Sequence, residues 1–245
     1  MKTNNWFETW FDSPYYHKLY FERNDNEAQI FITNLMQKLN LPVGSFLLDV
    51  ACGKGRHSNY LASLGYYVTG IDLSPNSIQQ ANKNATENAH FFIHDMRLAF
   101  KAESFAGVFN FFTSFGYFDN EADNQKALNA MQASLIVNGY LVLDFLNEQY
   151  VINHLIPHEE KNIDGTLYNI KKWADDTHFY KQITITDKTI SSPMVHTEKV
   201  ARITKQQFLN YFKNAGLHIE HIFGNYGLLP FNLTTSPRII IIAKK

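Results

Sequence analysis

The chain lacks several features that would assign a protein to a class at once. It has one cysteine in 245 residues, which excludes an internal disulfide framework. It has no run of about 18 apolar residues, the length that a helix needs to cross a bilayer. Its first residues, MKTNNWFETWFDSPYY, lack the apolar core of a signal peptide. From these absences we expect a soluble, cytoplasmic protein.

Neither sign of charge is in excess. The chain has 22 basic and 23 acidic residues, and its formal net charge is −1. It therefore lacks the basic patch of a protein that binds a phosphate backbone, and we expect neither nucleic acid nor a membrane as a partner. Two pairs of histidines lie four residues apart, His90 with His94 and His154 with His158, but neither pair has the context of metal ligands. We expect no metal site.

Apolar and aromatic residues are plentiful. Hydrophobic residues make up 45% of the chain and aromatic residues 15%, with 20 Phe and 13 Tyr. This balance permits a sizeable core, and the length suffices for one large α/β domain or for a domain with an elaborated lid. Tyrosine-rich stretches often line a cleft, since the ring is apolar and its hydroxyl is polar.

Strands and helices alternate between about residues 40 and 150. Strands are predicted at 46–50, 67–73, 90–95, 107–113 and 139–146. Helices are predicted at 56–64, from Ser74-Pro75 onwards, and at 121–136. Units of this length predict an α/β fold with a doubly wound, mostly parallel sheet and helices on both faces. In such a sheet the ligand lies beyond the carboxyl ends of the strands, near the point where strand order reverses.

The pattern changes after about residue 150. Three strands that alternate apolar and polar positions are predicted within 165–200, followed by a helix over 204–216 and two final strands. The predicted division is a helical cap segment at 1–39, a ligand-binding α/β domain at 40–150 and 203–245, and an antiparallel lid insertion at 151–202. The cap segment contains an amphipathic helix over 26–40, whose expected inward residues are Ile30, Phe31, Leu35 and Leu39.

The stretch LLDVACGKGRHSNYLASLG, residues 47–65, predicts a strand, a tight turn and a helix. Such a turn points backbone N–H groups at a bound cofactor. Ser58 occupies the position where a dinucleotide fingerprint has its third glycine, and no Gly-Lys-Ser/Thr of a P-loop follows Gly55. A carboxylate at Asp49 would repel a pyrophosphate but attract an ammonium. A cofactor with an amino-acid tail therefore fits better than one with a phosphate tail.

Two more carboxylates follow the next strands. Asp72 ends the second strand, 19 positions after Gly53, where a carboxylate accepts hydrogen bonds from a ribose. Asp95 ends the third strand, and Met96 follows it. A carboxylate and an apolar side chain at these positions could bind the exocyclic amine and the face of an adenine. Each aspartate alone also fits a helix cap or a turn. Three at the ends of successive strands favour one binding site.

Together, Asp49-Val-Ala-Cys-Gly-Lys-Gly55, Asp72 and Asp95-Met96 resemble the class I methyltransferases that depend on S-adenosylmethionine (SAM). DVACG and FNFFTSFGYF (109–118) are similar to the small-molecule branch that includes glycine N-methyltransferase. The resemblance covers about residues 15–150 and the closing helix and strands. In that branch an antiparallel insertion after the fifth strand roofs the substrate pocket.

The resemblance implies roles for particular positions. Those expected to contact the methionine part of SAM are Asp49, Ala51, Cys52, Gly53 and Gly55. Those expected at the ribose, the adenine and the sulfonium are Asp72, Leu73, Asp95, Met96 and Phe111. Cys52 is interpreted as a small packing residue at this place rather than as a nucleophile. In the aromatic segment 10–25, Arg23 is the candidate for the cofactor's carboxylate, with a surface helix as the alternative.

Two positions depart from the family's pattern. Ala106 stands where the fourth strand often opens with Asp, and Asn110-Phe-Phe-Thr113 lacks the two prolines of methylases that act on bases or protein amides. The second departure argues against a nucleic-acid base or a glutamine as the methyl acceptor.

The sequence therefore predicts methyl transfer from SAM to a nitrogen or oxygen of a small molecule, by a monomer or homodimer. The alternatives are a nucleotide-dependent oxidoreductase and a non-catalytic SAM-binding protein. A hydroxyl acceptor needs a general base, and the candidates are His17, His57, Tyr117, His196 and Tyr226. Trp173 and His196 are expected on the inner face of the insertion, where they would set acceptor choice.

Overall fold

The computed structural model describes residues 9–20 and 25–245. The helices are α1 (Pro14–Leu19), α2 (Asp25–Leu39), α3 (Arg56–Ser63), α4 (Pro75–Lys83), α5 (Glu121–Ser134), α6 (Glu148–Asn153) and α7 (Lys205–Asn214). The strands of the first sheet are β1 (Phe46–Val50), β2 (Tyr67–Asp72), β3 (Ala89–Ile93), β4 (Phe105–Asn110), β5 (Leu135–Leu146), β10 (His218–Phe223) and β11 (Arg238–Lys244). Those of the second sheet are β6 (His158–Ile163), β7 (Thr166–Ala174), β8 (His178–Thr186) and β9 (Met194–Ala201).

The first sheet has the order β10-β11-β5-β4-β1-β2-β3. Its pairs are parallel except those of β11, which runs antiparallel to both β5 and β10. The predicted doubly wound, mostly parallel α/β fold is confirmed. Strand order reverses between β1 and β4, so the crevice for a ligand lies where these two strands end.

Helices cover this sheet, and its central strands are therefore continuous apolar runs. Residues 141–145 of β5 and 239–243 of β11 are buried throughout, including Asp144. Helix α2 packs through Phe31, Leu35 and Leu39, as predicted, but Ile30 is 59% exposed. The expectation for Ile30 is wrong because the apolar stripe continues through Ile32 and Met36 and leaves Ile30 off its edge.

The residues that the sequence predicts as helix caps form capping hydrogen bonds in the structure. Ser74 Oγ accepts from the Ser77 N–H at 3.0 Å, with Pro at the first position of α4. Thr204 forms a capping box with Gln207 at the start of α7. Gly216 ends that helix at φ +71°, a left-handed conformation that glycine adopts without steric cost. These contacts fix the helix ends that border the crevice and the last strands.

The second sheet is antiparallel and has four strands, where the sequence predicts three. The missed strand β6 has the sequence HEEKNI, which lacks the apolar alternation that marks a half-buried strand. The buried face includes Tyr168, Ile170, Ile183 and Ile185, which pack against Trp10 and Leu19.

Trp173 lies on the opposite, outer face of the second sheet. It stacks on Tyr180 with ring centroids 5.2 Å apart and is 40% exposed. Side chains alternate along a strand, and the buried positions of β7 are Thr166, Tyr168 and Ile170, so an odd-numbered residue faces outward. The expectation that Trp173 faces inward is wrong. Among the described residues, no helix has the length and apolar content of a membrane span.

Candidate active site

A cavity of about 470 Å³ lies at the carboxyl ends of the first four strands. The segments that line it follow β1, β2, β3 and β4 in turn, and its other wall is residues 9–20, which we call the strap. The residues on the strand side include Asp49, Ala51, Cys52, Gly53, Lys54, Arg56, His57, Asp72, Leu73, Asp95, Met96, Arg97, Phe111, Phe112 and Tyr117. The strap contributes Phe11, Tyr16, His17 and Tyr20.

Polar contacts hold the strap at both ends. Asp12 Oδ1 accepts from Ser74 Oγ at 2.5 Å, which ties the strap to the start of α4. On the other side, Glu198 accepts from Trp10 Nε1 at 2.8 Å and from the Tyr20 hydroxyl at 2.7 Å. Glu198 belongs to β9, so the second sheet supports the strap from behind.

His196 lies behind this wall. Its ring stacks on Trp10 at 4.4 Å, and it is absent from the cavity lining. Its Nε2 is buried and has no hydrogen-bond partner in the part of the chain that the structure describes. The strap therefore separates His196 from the cavity.

The turn after β1 is held by backbone conformation and by one carboxylate. Ala51, Gly53 and Gly55 all have positive φ angles. Asp72 accepts from the Gly53 N–H at 2.9 Å and from the Ser74 N–H at 2.8 Å. The carboxylate at the end of β2 therefore fixes the turn that follows β1, and both stand on the cavity wall.

Gly55 does not line the cavity. A Cβ at this position would overlap the Phe91 ring and would lie 3.2 Å from Ala81 Cβ. Gly55 therefore permits close packing of the turn against β3 and α4, the role that glycines play where a helix approaches a strand.

Asp49 is buried at the end of β1 and accepts from Ser58 Oγ at 2.6 Å. Burial raises the pKa of Asp49 to about 7, although the Ser58 hydrogen bond opposes the shift. Burial also raises the pKa of Asp72, against the backbone N–H groups that it accepts from. Ser58, at the position of the absent third glycine, thus has a partner that spacing alone does not predict.

Asp95 is paired with a cation that the sequence did not assign. Arg97 Nη2 lies 2.6 Å from Asp95 Oδ2, and Arg97 Nη1 lies 3.1 Å from Asp123 Oδ2. Burial acts to raise the pKa of Asp95, but the hydrogen bonds and charge of Arg97 prevail and lower it. Arg97 lines the cavity, two residues after Asp95, and that short spacing is the signal for the pair.

Of the candidate general bases, His17, His57 and Tyr117 line the cavity. Burial, and secondly the charge of Lys54, lower the pKa of His17 to about 4, so the ring is neutral at pH 7. The His57 ring stacks on that of Phe112 with centroids 4.5 Å apart, and His57 Nε2 lies 2.9 Å from Arg56 Nη2. The Tyr117 hydroxyl donates to the Thr113 carbonyl at 2.6 Å.

Tyr226 is not on the cavity wall. Its hydroxyl donates to Asp144 Oδ2 at 3.2 Å, behind Phe112. Arg23 lies outside the described residues. Lys54 lines the cavity although no sequence pattern gave it a role. Within residues 9–20 and 25–245, no group of three or more His, Cys, Asp and Glu side chains is arranged to hold a metal ion.

Known proteins that are similar to this chain include methyltransferases. Residues 47–139 match the family described as "Methyltransferase domain". A ubiquinone biosynthesis O-methyltransferase of Xanthomonas axonopodis pv. citri (strain 306) is 25% identical over 190 residues, which are 75% of this chain and 66% of that protein. A dTDP-3-amino-3,6-dideoxy-alpha-D-glucopyranose N,N-dimethyltransferase of Streptomyces fradiae is 31% identical over 105 residues, 42% of this chain and 40% of that protein. The chain thus spans less than two thirds of the length of these relatives.

Solved structures share the fold over about 95% of the chain. A SAM-dependent methyltransferase from Clostridium acetobutylicum ATCC 824 superposes with a TM-score of 0.77 at 17% identity, over 94% of this chain and 96% of that chain. SAM-bound CalS10, an amino pentose methyltransferase from Micromonospora echinaspora, superposes with a TM-score of 0.70 at 19% identity, over 95% of this chain and 97% of that chain. The finer likeness to glycine N-methyltransferases stays a prediction. The chain thus has the fold of SAM-dependent methyltransferases, and its residues 47–139 match a methyltransferase domain.

Proposed function

We propose that this chain transfers the methyl group of SAM to a nitrogen or oxygen nucleophile of a small molecule. The observation that carries the proposal is the aromatic-lined cavity between the strap and the ends of β1–β4. Its volume of about 470 Å³ is in the range of small-molecule sites. Methyl transfer needs such a site because the sulfonium must be kept from water.

In the proposed cofactor site, each carboxylate at a strand end is assigned to one part of SAM. Asp72 and Leu73 would hold the ribose, and Asp95 and Met96 the adenine. The turn at Ala51, Cys52 and Gly53, with Asp49 beneath it, would hold the methionine part, and Phe111 would lie by the sulfonium. All of these residues line the cavity. Lys54 is a further cation of this turn and a second candidate, beside Arg23, for the cofactor's carboxylate.

The reaction is an in-line displacement in which the protein positions the nucleophile about 3–3.5 Å from the methyl carbon. An amine that binds neutral needs no general base. His17, with a pKa of about 4, is a weak proton acceptor, and Arg56 lies beside the ring nitrogen Nε2 of His57. These groups favour an amine, or a phenol acidic enough to ionise readily, over an alkyl hydroxyl. The relatives described above include an N- and an O-methyltransferase by name.

We also propose that the strap is the lid of the active site and that the second sheet is its support. This keeps the predicted bounds of 1–39, 40–150 with 203–245, and 151–202, but it moves the role of lid from the insertion at 151–202 to the strap, because no residue of 151–202 lines the cavity. The support for it is the contact of Glu198 with Trp10 and Tyr20. His196 would then act on acceptor choice only through Trp10. A cytoplasmic location, a monomer or homodimer, and the absence of nucleic-acid and membrane partners stay predictions.

The test is an assay of methyl transfer from SAM with three acceptor classes: a nucleotide-linked amino sugar, a catechol and glycine. We expect a methylated product and S-adenosylhomocysteine in equal amounts with at least one class. Binding of SAM without product from any class would favour a non-catalytic SAM-binding protein.

A further inference from the structure

The chain takes a strained path directly after β4. Phe112 has φ +55° and Thr113 has φ +64°, so two successive residues other than glycine are left-handed. This conformation is uncommon for any such residue and an outlier for a β-branched one such as Thr113. It persists only where surrounding contacts impose it. Phe112 lines the cavity, and Thr113 does not.

One buried residue imposes this path. In the parallel pairing of β4 with β5, Asn110 lies opposite Leu143, so Asp144 meets the chain as it leaves β4. Asp144 Oδ2 accepts from the Phe112 N–H at 2.8 Å, and the Asp144 carbonyl accepts from the Thr113 N–H at 3.1 Å. Both left-handed residues are therefore held by their backbone amides.

Two further residues fix the Asp144 carboxylate. Arg238, at the start of β11, lies 2.8 Å from Asp144 Oδ1 and donates to Thr113 Oγ1 at 2.8 Å. The Tyr226 hydroxyl donates to Asp144 Oδ2, and its ring packs 5.1 Å from that of Phe112. The Asp144 side chain is fully buried and that of Arg238 is 17% exposed. None of the three residues lines the cavity.

The consequence is an ordered aromatic wall. The Phe112 ring lies parallel to that of His57, with an interplanar angle of 8°. The Arg56 guanidinium is 5.8 Å from the centre of the Phe112 ring. A change of φ at Phe112 would move its ring away from His57 and alter this side of the cavity.

We propose that Asp144, Arg238 and Tyr226 are positioning residues for methyl transfer. They hold Phe112 against His57, and this wall orients the acceptor toward the methyl group. The proposal rests on the proposed function for the role of the wall, but the positioning itself is independent of it. It predicts that loss of the Asp144 charge impairs the acceptor side of the site and spares the cofactor side.

The test uses Asp144→Asn, which keeps the side-chain shape but cannot accept from Arg238, Phe112 and Tyr226 as a carboxylate does. The first readout is the NMR signal of the His57 Cε1–H, assigned with His57→Asn. We expect the chemical shift of this proton to change in Asp144→Asn, because the ring current of Phe112 no longer acts on it. We expect the affinity for S-adenosylhomocysteine to stay within about twofold, and kcat/KM for a catechol or a nucleotide-linked amino sugar to fall at least tenfold.

Two variants separate positioning from general stability. Thr113→Gly in the Asp144→Asn background should restore part of the His57 signal and of kcat/KM, since glycine adopts the left-handed conformation without support. Glu148→Gln is the matched control: its ion pair with Arg202, at 2.6 Å, lies outside the cavity lining. It should leave both readouts unchanged.

An unchanged His57 signal in Asp144→Asn would overturn the proposal. So would a cofactor affinity that falls as far as kcat/KM, since the three residues would then serve the whole site. If the wild-type protein methylates neither acceptor, the proposed function is in doubt while the NMR signal still decides the positioning.

Discussion

Among single residues, we expect Asp49 to make cofactor binding sensitive to pH. Its carboxyl is buried, and burial raises its pKa to about 7. An ionised Asp49 attracts the cofactor's ammonium, whereas a neutral one does not. We predict that the affinity for S-adenosylhomocysteine rises about 25-fold between about pH 5.5 and 7.5, as the ionised fraction grows from roughly 3% to roughly 75%. Calorimetry across this range measures it.

The control is Asp49→Asn, which should bind weakly and with little dependence on pH. An equally steep rise in this variant would place the titrating group elsewhere. The raised pKa of Asp49 has the opposite effect on the stability of the unliganded chain, which falls as pH rises. The folded state keeps a proton that the unfolded chain releases above its pKa of 3.8, so the contribution of Asp49 to stability falls as pH rises from about 4 to about 7.

Asp72 should contribute to cofactor binding directly and through the turn that it holds. Replacing it with Ala removes the acceptor of the Gly53 and Ser74 N–H groups. We predict that SAM binds about 1.5–3 kcal/mol more weakly, the range for hydrogen bonds to a charged group. Calorimetry gives the difference, with Asp119→Asn, at an exposed ion pair, as control. If Asp72→Ala binds SAM as tightly as the wild type, Asp72 serves only as a helix cap and the prediction is wrong.

The sequence predicts which residues reach the cavity better than it predicts their partners. Asp49, Asp72 and Asp95 line the wall because the ends of parallel strands meet at one edge. Their contacts with Ser58 and Arg97 depend on side-chain directions that spacing does not encode. The misplacement of Trp173 has a similar cause. Alternation along β7 shows two faces, but only packing against the strap shows which face is buried.

At the level of helices, strands and turns, alanine substitutions at the two glycines of the turn between β1 and α3 should differ in their effect on stability. Gly53 has no atom within 4 Å of an added Cβ, whereas a Cβ at Gly55 would overlap Phe91. Both have positive φ, which costs alanine about 1–2 kcal/mol. We predict that Gly55→Ala loses a further 1–3 kcal/mol, roughly the cost of overpacking. Urea unfolding measures the difference, and equal losses would contradict the packing role.

Helices and strands were predictable where local signals and tertiary contacts agree. The caps at Ser74 and Thr204 mark helix starts that the structure contains. Strand β6 and helix α6 were missed because one is a charged edge strand and the other a helix of six residues. Their formation depends on neighbours, such as the pairing of β6 with β7, rather than on their own pattern.

For the whole molecule, the alternation of strands and helices predicts a mostly parallel sheet, but it leaves the direction of β11 open. Its Ile-rich run is buried, and a buried strand has the same apolar pattern in either direction. The prediction that the insertion at 151–202 itself covers the cavity is wrong, because none of its residues lines the cavity. That sheet packs on the strap, and the strap supplies the wall.

The proposed function requires that SAM bind in the crevice between β1 and β4. A calorimetric titration of the purified chain with SAM, S-adenosylhomocysteine and NAD measures this binding. We predict one site for SAM and for its demethylated product, and no binding of NAD, because an ionised Asp49 repels a pyrophosphate and attracts an ammonium. Binding of NAD without binding of SAM would contradict it.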